Sequence, residues 1–184
     1  MITRATVDEL VSIVVLECGG FPATERWSGE SWAAELGRDD HLVLVHRGGD
    51  AGADPDDAST VPAQGGANAE TDHHDVHGMW HRIARSPIDA VAAFSVTDDF
   101  GDVLRVIVAP SAKRQGLGTA LVRAGLEWLA DKGATRALLE VSQRNAAGIA
   151  LYEKLGFTQL SHRRDYYGPG EDAWVMVRPI RENA

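Results

Sequence analysis

The chain has 184 residues, of which 44% are hydrophobic and 24% are charged, and its formal net charge is −9. This length and composition are typical of one globular domain, which we expect to span residues 1–184. The sequence contains no apolar run of about 18 residues and no leader-like N-terminus, so neither a membrane span nor a secretory signal is predicted. Cys18 is the only cysteine, which excludes an internal disulfide. Together these features predict a reduced, cytoplasmic protein.

Most of the negative charge lies in one segment, at about residues 48–78. This segment contains no Lys or Arg, and Gly, Ala, Asp, Ser and Pro dominate it. Removing its seven carboxylates from −9 leaves −2 for the rest of the chain: Asp50, Asp54, Asp56, Asp57, Glu70, Asp72 and Asp75. Such a composition buries too little apolar surface to offset the entropy lost on ordering. We therefore predict a flexible acidic low-complexity insert. Because the rest of the chain is nearly neutral, the total charge indicates neither repulsion from nucleic acid nor attraction to basic partners. No direct nucleic-acid binding is expected.

Three histidines lie within this insert, at His73, His74 and His77. They permit a metal site, but their spacing matches none of the standard closed patterns. A solvated acidic loop with incidental histidines is the preferred interpretation, and no metal is expected.

The first elements can be placed from their capping residues. Thr6 and Glu9 form a capping box before an apolar run that ends at Gly19-Gly20, which predicts a helix. Cys18 is expected on the buried face of this helix as a small hydrophobe, and a catalytic thiol is the less favoured alternative. A second short helix is predicted to begin at Ser28, and residues 41–46 read as a strand.

The second half alternates strands and helices. Strands are predicted at residues 88–96, 103–108, 137–141, 158–164 and 173–178. An amphipathic helix is expected from residue 115 to about 132, ended by Gly133, and a shorter helix from the Asn145 cap to about residue 155, closed by Gly156. The pattern predicts an α/β fold with a mixed sheet.

A glycine-containing turn at residues 114–119 follows a strand and opens a helix. The free amides of a first helical turn, aided by the helix dipole, favour a pyrophosphate. The turn is neither a P-loop nor the three-glycine dinucleotide motif. On its own it is compatible with a purely structural connector.

Two titratable residues stand out in the segment that follows. Glu140 interrupts an apolar strand, so it either faces solvent or faces a cleft in which it accepts a proton from an amine. Tyr152 shares a helix face with Ile149 and Leu155, which suits a core aromatic. A phenol with a pKa of roughly 10 is also matched to protonate a departing thiolate. Asn145 is most simply a helix N-cap.

The order and spacing of these features resemble the GNAT acetyltransferase superfamily. The matching segments are residues 106–110, 114–119, 139–141 and 150–157, together with Asn145. Residues 163–167 extend the resemblance to the RimI type, the bacterial ribosomal-protein alanine N-acetyltransferases. The resemblance is strong over about residues 103–180 and weak over 3–45. It departs from the family pattern at Lys113, at Ser142 and at Arg26, which stands where a proline is common.

The resemblance implies a GNAT-like, mostly antiparallel sheet with flanking helices and splayed central strands, with acetyl-CoA as cosubstrate in the gap. Glu140 would be the general base for the acceptor amine, through water, and Tyr152 the general acid for the CoA thiolate. Peptide-groove positions would be Trp27, Tyr166 and Tyr167. Cofactor-binding positions would be Val106, Ile107, Val108, Arg114, Gln115, Gly116, Leu117, Gly118, Thr119, Asn145 and Tyr152.

The function expected from this resemblance is acetylation of the α-amine of a ribosomal protein with an N-terminal alanine, and of other proteins as further substrates. A second hypothesis keeps the fold and changes the acceptor to a small-molecule amine or a lysine side chain. A third hypothesis, of another class, is a non-catalytic acyl-CoA-binding or partner-docking module.

Overall fold

The computed structural model describes residues 1–48 and 88–180. Its helices are α1 (Leu10–Gly20), α2 (Gly29–Leu36), α3 (Leu117–Asp131) and α4 (Ala146–Lys154). Its strands are β1 (Ile2–Arg4), β2 (His41–Arg47), β3 (Ile88–Thr97), β4 (Phe100–Val108), β5 (Arg136–Ser142), β6 (Thr158–Gly168) and β7 (Glu171–Pro179). The strands form one seven-stranded sheet in the order β1-β2-β3-β4-β5-β7-β6. Every pair is antiparallel except β4 with β5, which confirms the predicted fold class.

The predicted capping chemistry sets the helix boundaries. Glu9 accepts a 2.7 Å hydrogen bond from the Thr6 amide, and a short 3₁₀ turn over Val7–Glu9 leads into α1. The Ser28 hydroxyl accepts from the Ser31 amide at 3.1 Å and starts α2. Gly133 and Gly156 follow α3 and α4 with φ of +93° and +86°, a conformation that glycine adopts without steric penalty.

The sheet separates two hydrophobic layers. One layer lies under α3 and contains the fully buried Phe94, Leu121 and Leu129. The other layer lies under α1 and α2 and contains Ile13 and Trp32, both at 0% exposure. Side chains alternate between the two layers along the central strands, so each strand contributes to both.

The prediction for Cys18 is wrong, because its side chain is exposed. Its neighbour Glu17 is instead fully buried, at 0% exposure. The sequence of α1 is apolar on almost every side, so its periodicity does not distinguish the buried face from the solvent face.

Other boundaries also differ from the expectation. The α3 helix begins at Leu117 rather than residue 115, β1 was not predicted, and β6 and β7 extend further to form a long hairpin. The predicted insert at about residues 48–78, with its three histidines, lies almost wholly outside the described residues. Within residues 1–48 and 88–180, none of the helices has the length and apolar character required to cross a membrane.

Candidate active site

The central feature is the separation of β4 from β5. The two strands pair only through three residues each, Phe100 to Asp102 on β4 and Arg136 to Leu138 on β5. Both strands then continue, to Val108 and Ser142 respectively, without pairing to each other. Their facing edges therefore border an open gap in the middle of the sheet.

The backbone of β4 offers hydrogen-bonding groups to this gap. The Ala109 amide donates to the Asp89 carbonyl on the β3 side at 2.8 Å. Because the main-chain groups of a strand alternate in direction, those of Val106 and Val108 face away from β3, into the gap. Those of Ile107 point toward β3, and its buried side chain packs with the α1 and α2 layer.

A β-bulge in β4 lies at the start of this gap. Ala93 pairs with Arg105 and Phe94 pairs with Val103, which leaves Leu104 as the extra residue. A bulge bends its strand and increases the local twist. Here it turns β4 just beyond the last residue that pairs with β5, which accounts for the separation of the two strands.

The N-terminus of α3 opens onto the gap without a side-chain cap. No side chain of residues 1–48 or 88–180 caps α3, and its first helical bond runs from the Ala120 amide to the Gly116 carbonyl at 3.0 Å. The amides of Leu117, Gly118 and Thr119 therefore have no helical acceptor. With the helix dipole they form a site suited to an anion such as a pyrophosphate.

The turn before α3 has an unusual conformation. Arg114 has φ of +64° and Gly116 has φ of +80°. A non-glycine residue in this region is strained by roughly 1–2 kcal/mol, and such strain concentrates at ligand-binding turns. Gly118 also permits a close approach, since a Cβ there would lie 2.9 Å from Leu151 Cδ1 on α4.

These elements enclose a cleft of about 610 Å³. The ends of α1 and β4, the turn before α3 and the first part of α4 line it. Of the predicted cofactor positions, the cleft includes Val106, Ile107, Val108, Arg114, Gly116, Leu117, Gly118, Thr119, Asn145 and Tyr152. Gln115 is exposed, lies outside this lining, and donates from its side chain to the Ser111 carbonyl at 3.4 Å. Lys113, which departs from the family pattern, also lines the cleft.

Tyr152 on α4 and Asn145 at its N-cap line this cleft. The Asn145 Oδ1 accepts from the Gly148 amide at 2.9 Å. The Tyr152 ring packs edge-on against Phe157 with a centroid distance of 5.8 Å. Burial, with a smaller effect of Tyr167, raises the pKa of the Tyr152 phenol far above its usual value. The phenol therefore holds its proton throughout the physiological range.

Glu140 lies on the other face of the sheet. Ala137, Leu139 and Val141 are buried beneath α3, so alternation along β5 points Glu140 toward the α1 and α2 side. Its side chain is 28% exposed and pairs with the Arg163 guanidinium at 3.2 Å. The carboxylate is therefore accessible to solvent from the face of the sheet opposite α3.

Of the predicted groove residues, Tyr166 and Tyr167 lie on the β6–β7 hairpin, and Trp27 lies in residues 21–28, which we name the α1–α2 loop. Tyr167 donates from its hydroxyl to the Glu140 carbonyl at 3.3 Å and packs edge-on against Tyr166 at 4.9 Å. Burial, followed by Tyr166, Glu140 and Glu25, raises the pKa of Tyr167 to about 12. Trp27 packs on Trp32 with a centroid distance of 4.9 Å, on the same side of the sheet.

One buried pair beside these residues was not predicted. Glu17 on α1 and Arg105 on β4 form an ion pair whose side chains are 0% and 9% exposed. Glu17 is the only charged residue of α1, and Arg105 is the only charged residue in the apolar run 103–109, which is the signal that the sequence offered. Their pairing joins positions 88 residues apart, so the sequence alone could not connect them.

Among the described residues, no group of three or more His, Cys, Asp or Glu side chains is arranged to hold a metal. The groups at the site that can take part in proton transfer or hydrogen bonding are the carboxylate of Glu140, the phenols of Tyr152 and Tyr167, and the main-chain amides at the gap.

Comparisons with known proteins agree with this geometry. The acetyltransferase (GNAT) family model matches residues 60–157, just over half of the chain. The [ribosomal protein bS18]-alanine N-acetyltransferase of Escherichia coli (strain K12) is 42% identical over 96 residues, which cover 49% of this chain and 65% of that protein. An N-alpha-acetyltransferase of Sulfurisphaera tokodaii is 38% identical over 81 residues, 44% of this chain and 48% of that protein.

Solved structures extend the similarity to the whole fold. The crystal structure of the Escherichia coli ribosomal-protein-S18-alanine N-acetyltransferase superposes with a TM-score of 0.71 at 26% identity, covering 100% of this chain and 96% of that one. A Thermoplasma acidophilum PaiA N-acetyltransferase, solved in complex with coenzyme A, has a TM-score of 0.65 at 16% identity over 97% of this chain and 98% of its own, which shows a shared fold. The chain belongs to the GNAT acetyltransferase family.

Proposed function

We propose that this protein is an acetyl-CoA-dependent N-terminal protein acetyltransferase, which acetylates the α-amine of a ribosomal protein that begins with alanine. The observation that carries the proposal is the gap between β4 and β5, which pair with each other over only three residues. An uncapped helix N-terminus lies on one face, and a partly exposed carboxylate lies on the other.

The cleft fits the elongated, anionic shape of acetyl-CoA. The free amides of Leu117, Gly118 and Thr119 would hold the pyrophosphate. The gap-facing main-chain groups of Val106 and Val108 would pair with the amides of the pantetheine arm, much as an added strand would. Asn145 also lines the cleft and would contact the same arm through its side-chain amide.

The proposed chemistry is direct acyl transfer without an enzyme nucleophile. Acetyl-CoA supplies an acyl thioester that is activated toward amines. Glu140 would accept the proton that the α-amine loses as its nitrogen–carbon bond forms, through a water molecule. Tyr152 would donate its proton to the sulfur as the carbon–sulfur bond breaks. Glu140 and Tyr152 would act from opposite faces of the sheet, so the group that accepts a proton is separate from the group that donates one.

The acceptor is assigned from the relatives and from the open face around Glu140. The bS18-alanine N-acetyltransferase of Escherichia coli and the archaeal N-alpha-acetyltransferase both carry names that specify α-amine acceptors. Tyr166 and Tyr167 lie near Glu140, and Glu25 of the α1–α2 loop lies near Tyr167. An extended peptide N-terminus would lie among these residues. Aromatic side chains beside a carboxylate suit an ammonium group.

The test is mass spectrometry of short peptides after incubation with the protein and acetyl-CoA. The panel should include N-terminal Ala and Ser peptides, the same peptides with a blocked α-amine and one internal lysine, and small polyamines. We expect one acetyl group on the free Ala peptide and none on the blocked peptide. Acetylation of the blocked peptide at lysine, or of the polyamines alone, would move the acceptor to the second hypothesis. No acetyl transfer to any acceptor, with CoA still bound, would favour a non-catalytic module.

A further inference from the structure

Glu17 is a carboxylate with no exposure to solvent, and its side chain accepts hydrogen bonds from the α1–α2 loop, from α2 and from β4. Its Oε1 accepts from the Trp27 main-chain amide at 3.1 Å and from Arg105, while its Oε2 accepts from the Trp32 indole at 3.3 Å. A buried charge is tolerated only when it is paired and hydrogen-bonded in this way. The carboxylate thus joins three separate segments of the chain.

Arg105 completes the arrangement from the bulge of β4. Its guanidinium donates to the Glu17 carboxylate and to the Glu25 carbonyl, and it lies 3.5 Å from the centroid of the Phe21 ring and 5.4 Å from that of Trp27. A planar guanidinium can pair with a carboxylate and stack on an aromatic ring at the same time. The guanidinium of Arg105 therefore contacts the α1–α2 loop at three residues, Phe21, Glu25 and Trp27.

The α1–α2 loop borders the proposed acceptor side of the site. Its first residue, Phe21, lines the cleft proposed to hold acetyl-CoA, beside Val106 and Val108. The Tyr167 hydroxyl donates to the Glu140 carbonyl. Burial is the main cause of the raised pKa of Tyr167, and neighbours that include the Glu25 carboxylate raise it further. Arg105 lowers the same pKa. Glu25 and Arg105 are therefore electrostatic neighbours of the tyrosine that flanks the proposed base.

We propose that Arg105, held by Glu17, is a positioning residue that fixes the α1–α2 loop as one wall of the acceptor groove. The inference rests on the proposed function. Through this pair, the affinity for the acceptor peptide depends on a residue that the peptide itself does not contact. A buried ion pair adds little net stability compared with apolar packing of the same volume, so its main effect is on the conformation of the loop.

The experiment compares Arg105→Met, Arg105→Lys and Glu17→Gln in the full chain. It measures kcat and KM for an acceptor peptide with a free N-terminal alanine, and the CoA dissociation constant by calorimetry. For Arg105→Met we expect the peptide KM to rise on the order of tenfold or more, with kcat and CoA affinity changed less than about threefold. Arg105→Lys keeps the charge but not the planar, forked guanidinium. We therefore expect its peptide KM to lie between those of the wild type and Arg105→Met. Glu17→Gln keeps the side-chain shape but only one acceptor oxygen, for either Trp27 or Trp32, and its peptide KM is expected to lie between those of the two Arg105 variants.

Arg136→Met is the matched control. Arg136 also places its guanidinium over an aromatic ring, 4.6 Å from the centroid of Phe100, but at the far end of β5, where β4 and β5 still pair. Its loss should leave the peptide KM unchanged. A folded Arg105→Met protein with an unaltered peptide KM, or one with a parallel loss of CoA affinity, would overturn the proposal.

Hydrogen exchange of peptides covering residues 21–28 separates this inference from the proposed function. If no peptide is acetylated by the wild type, faster exchange of this segment in Arg105→Met, with CoA binding intact, would still support loop positioning and would locate the error in the acceptor. Unchanged exchange would reject positioning. If Arg105→Met does not fold, the same two measurements on Arg105→Lys and Glu17→Gln decide the question.

Discussion

The Tyr167 hydroxyl donates a 3.3 Å hydrogen bond to the main-chain carbonyl of Glu140. The Gln143 amide, three residues further on, donates to the Asp172 carbonyl of β7 at 3.1 Å. Because main-chain groups alternate in direction along a strand, the Glu140 carbonyl faces away from β7, into the gap left by β4. A strand carbonyl without a partner strand needs another donor, and Tyr167 provides one. The hairpin formed by β6 and β7 is thereby attached to the strand that carries the proposed base.

Replacing Glu140 with Gln should lower kcat by roughly ten- to ten-thousand-fold, because an amide cannot accept the amine proton. CoA affinity should be unchanged, since Glu140 and the α3 N-terminus lie on opposite faces of the sheet. Glu30 is an exposed carboxylate on α2, so Glu30→Gln is the matched control for the loss of one negative charge. Arg163→Met removes the partner of Glu140 while keeping the base, and so measures the ion pair separately. Turnover of Glu140→Gln within twofold of the wild type would remove Glu140 from the mechanism.

Replacing Tyr152 with Phe removes one hydroxyl and retains the edge-on packing against Phe157. If the phenol protonates the departing thiolate, kcat should fall by roughly ten- to ten-thousand-fold while the thermal midpoint and the CoA dissociation constant stay close to wild-type values. Steady-state kinetics, calorimetry and thermal unfolding test this together. A variant that loses CoA binding in proportion to activity would show that Tyr152 acts through cofactor binding instead.

The chain has three tyrosines, and in each of them burial is the main cause of a raised phenol pKa: Tyr152, Tyr166 and Tyr167. We expect almost no tyrosinate absorbance near 295 nm until the pH exceeds about 10, the ordinary tyrosine value. A raised folded-state pKa contributes stability that is fully present below the unfolded-state value and is lost as the pH rises through the folded-state value. The free energy of unfolding should therefore fall above about pH 10, with the Tyr167 contribution lost up to about pH 12. Tyr167→Phe should make this fall shallower, and an unchanged profile would contradict the assignment.

Features that depend on local chemistry could be predicted from the sequence. The Thr6, Ser28 and Asn145 caps and the glycine terminators of α3 and α4 each act over a few residues, and the structure places them where the sequence indicates. The turn before α3 belongs to the same class, because a tight turn into a helix requires glycine at a fixed position.

Features that depend on contacts between distant segments could not be predicted in this way. The bulge at Leu104, which separates β4 from β5, is visible only in the pairing with β3. The burial of Glu17 requires Arg105, which lies 88 positions later. Exposure of Cys18 follows from the same packing, since adjacent residues on a helix point about 100° apart and Glu17 occupies the buried side. Each of these features is set by tertiary packing rather than by propensity.

Asn145 has two separable roles, and an aspartate distinguishes them. Asp is as good an N-cap as Asn, so Asn145→Asp should keep the bond to the Gly148 amide and leave the thermal midpoint nearly unchanged. It removes the side-chain amide donor and places a negative charge on a cleft proposed to hold an anion, so CoA should bind more weakly, on the order of tenfold. Asn145→Ala, in contrast, should lower stability by about 1 kcal/mol through loss of the cap. Equal CoA affinity for Asn145→Asp and wild type would leave Asn145 as a cap only.

Gly125 tests the packing of α3 on the sheet that carries the site. In a helix interior, Ala is usually more stable than Gly by roughly 0.5–1 kcal/mol. A Cβ at Gly125, however, would lie 2.1 Å from Cζ of Phe94, a ring with no exposure to solvent. Overpacking of this kind costs about 1–3 kcal/mol, so Gly125→Ala should lower the thermal midpoint.

Gly19→Ala is the matched control for this change, because a Cβ on Gly19 near the end of α1 meets no atom within 4 Å. It should be neutral or slightly stabilising. Combining Gly125→Ala with Phe94→Leu should recover part of the loss, because the smaller side chain vacates the space that the new methyl needs. A thermal midpoint of Gly125→Ala at or above that of the wild type would mean that Phe94 and α3 can move apart at little cost. In that case the position of the α3 N-terminus, and the anion site built on it, would be less rigidly fixed than the contacts of Gly125 indicate.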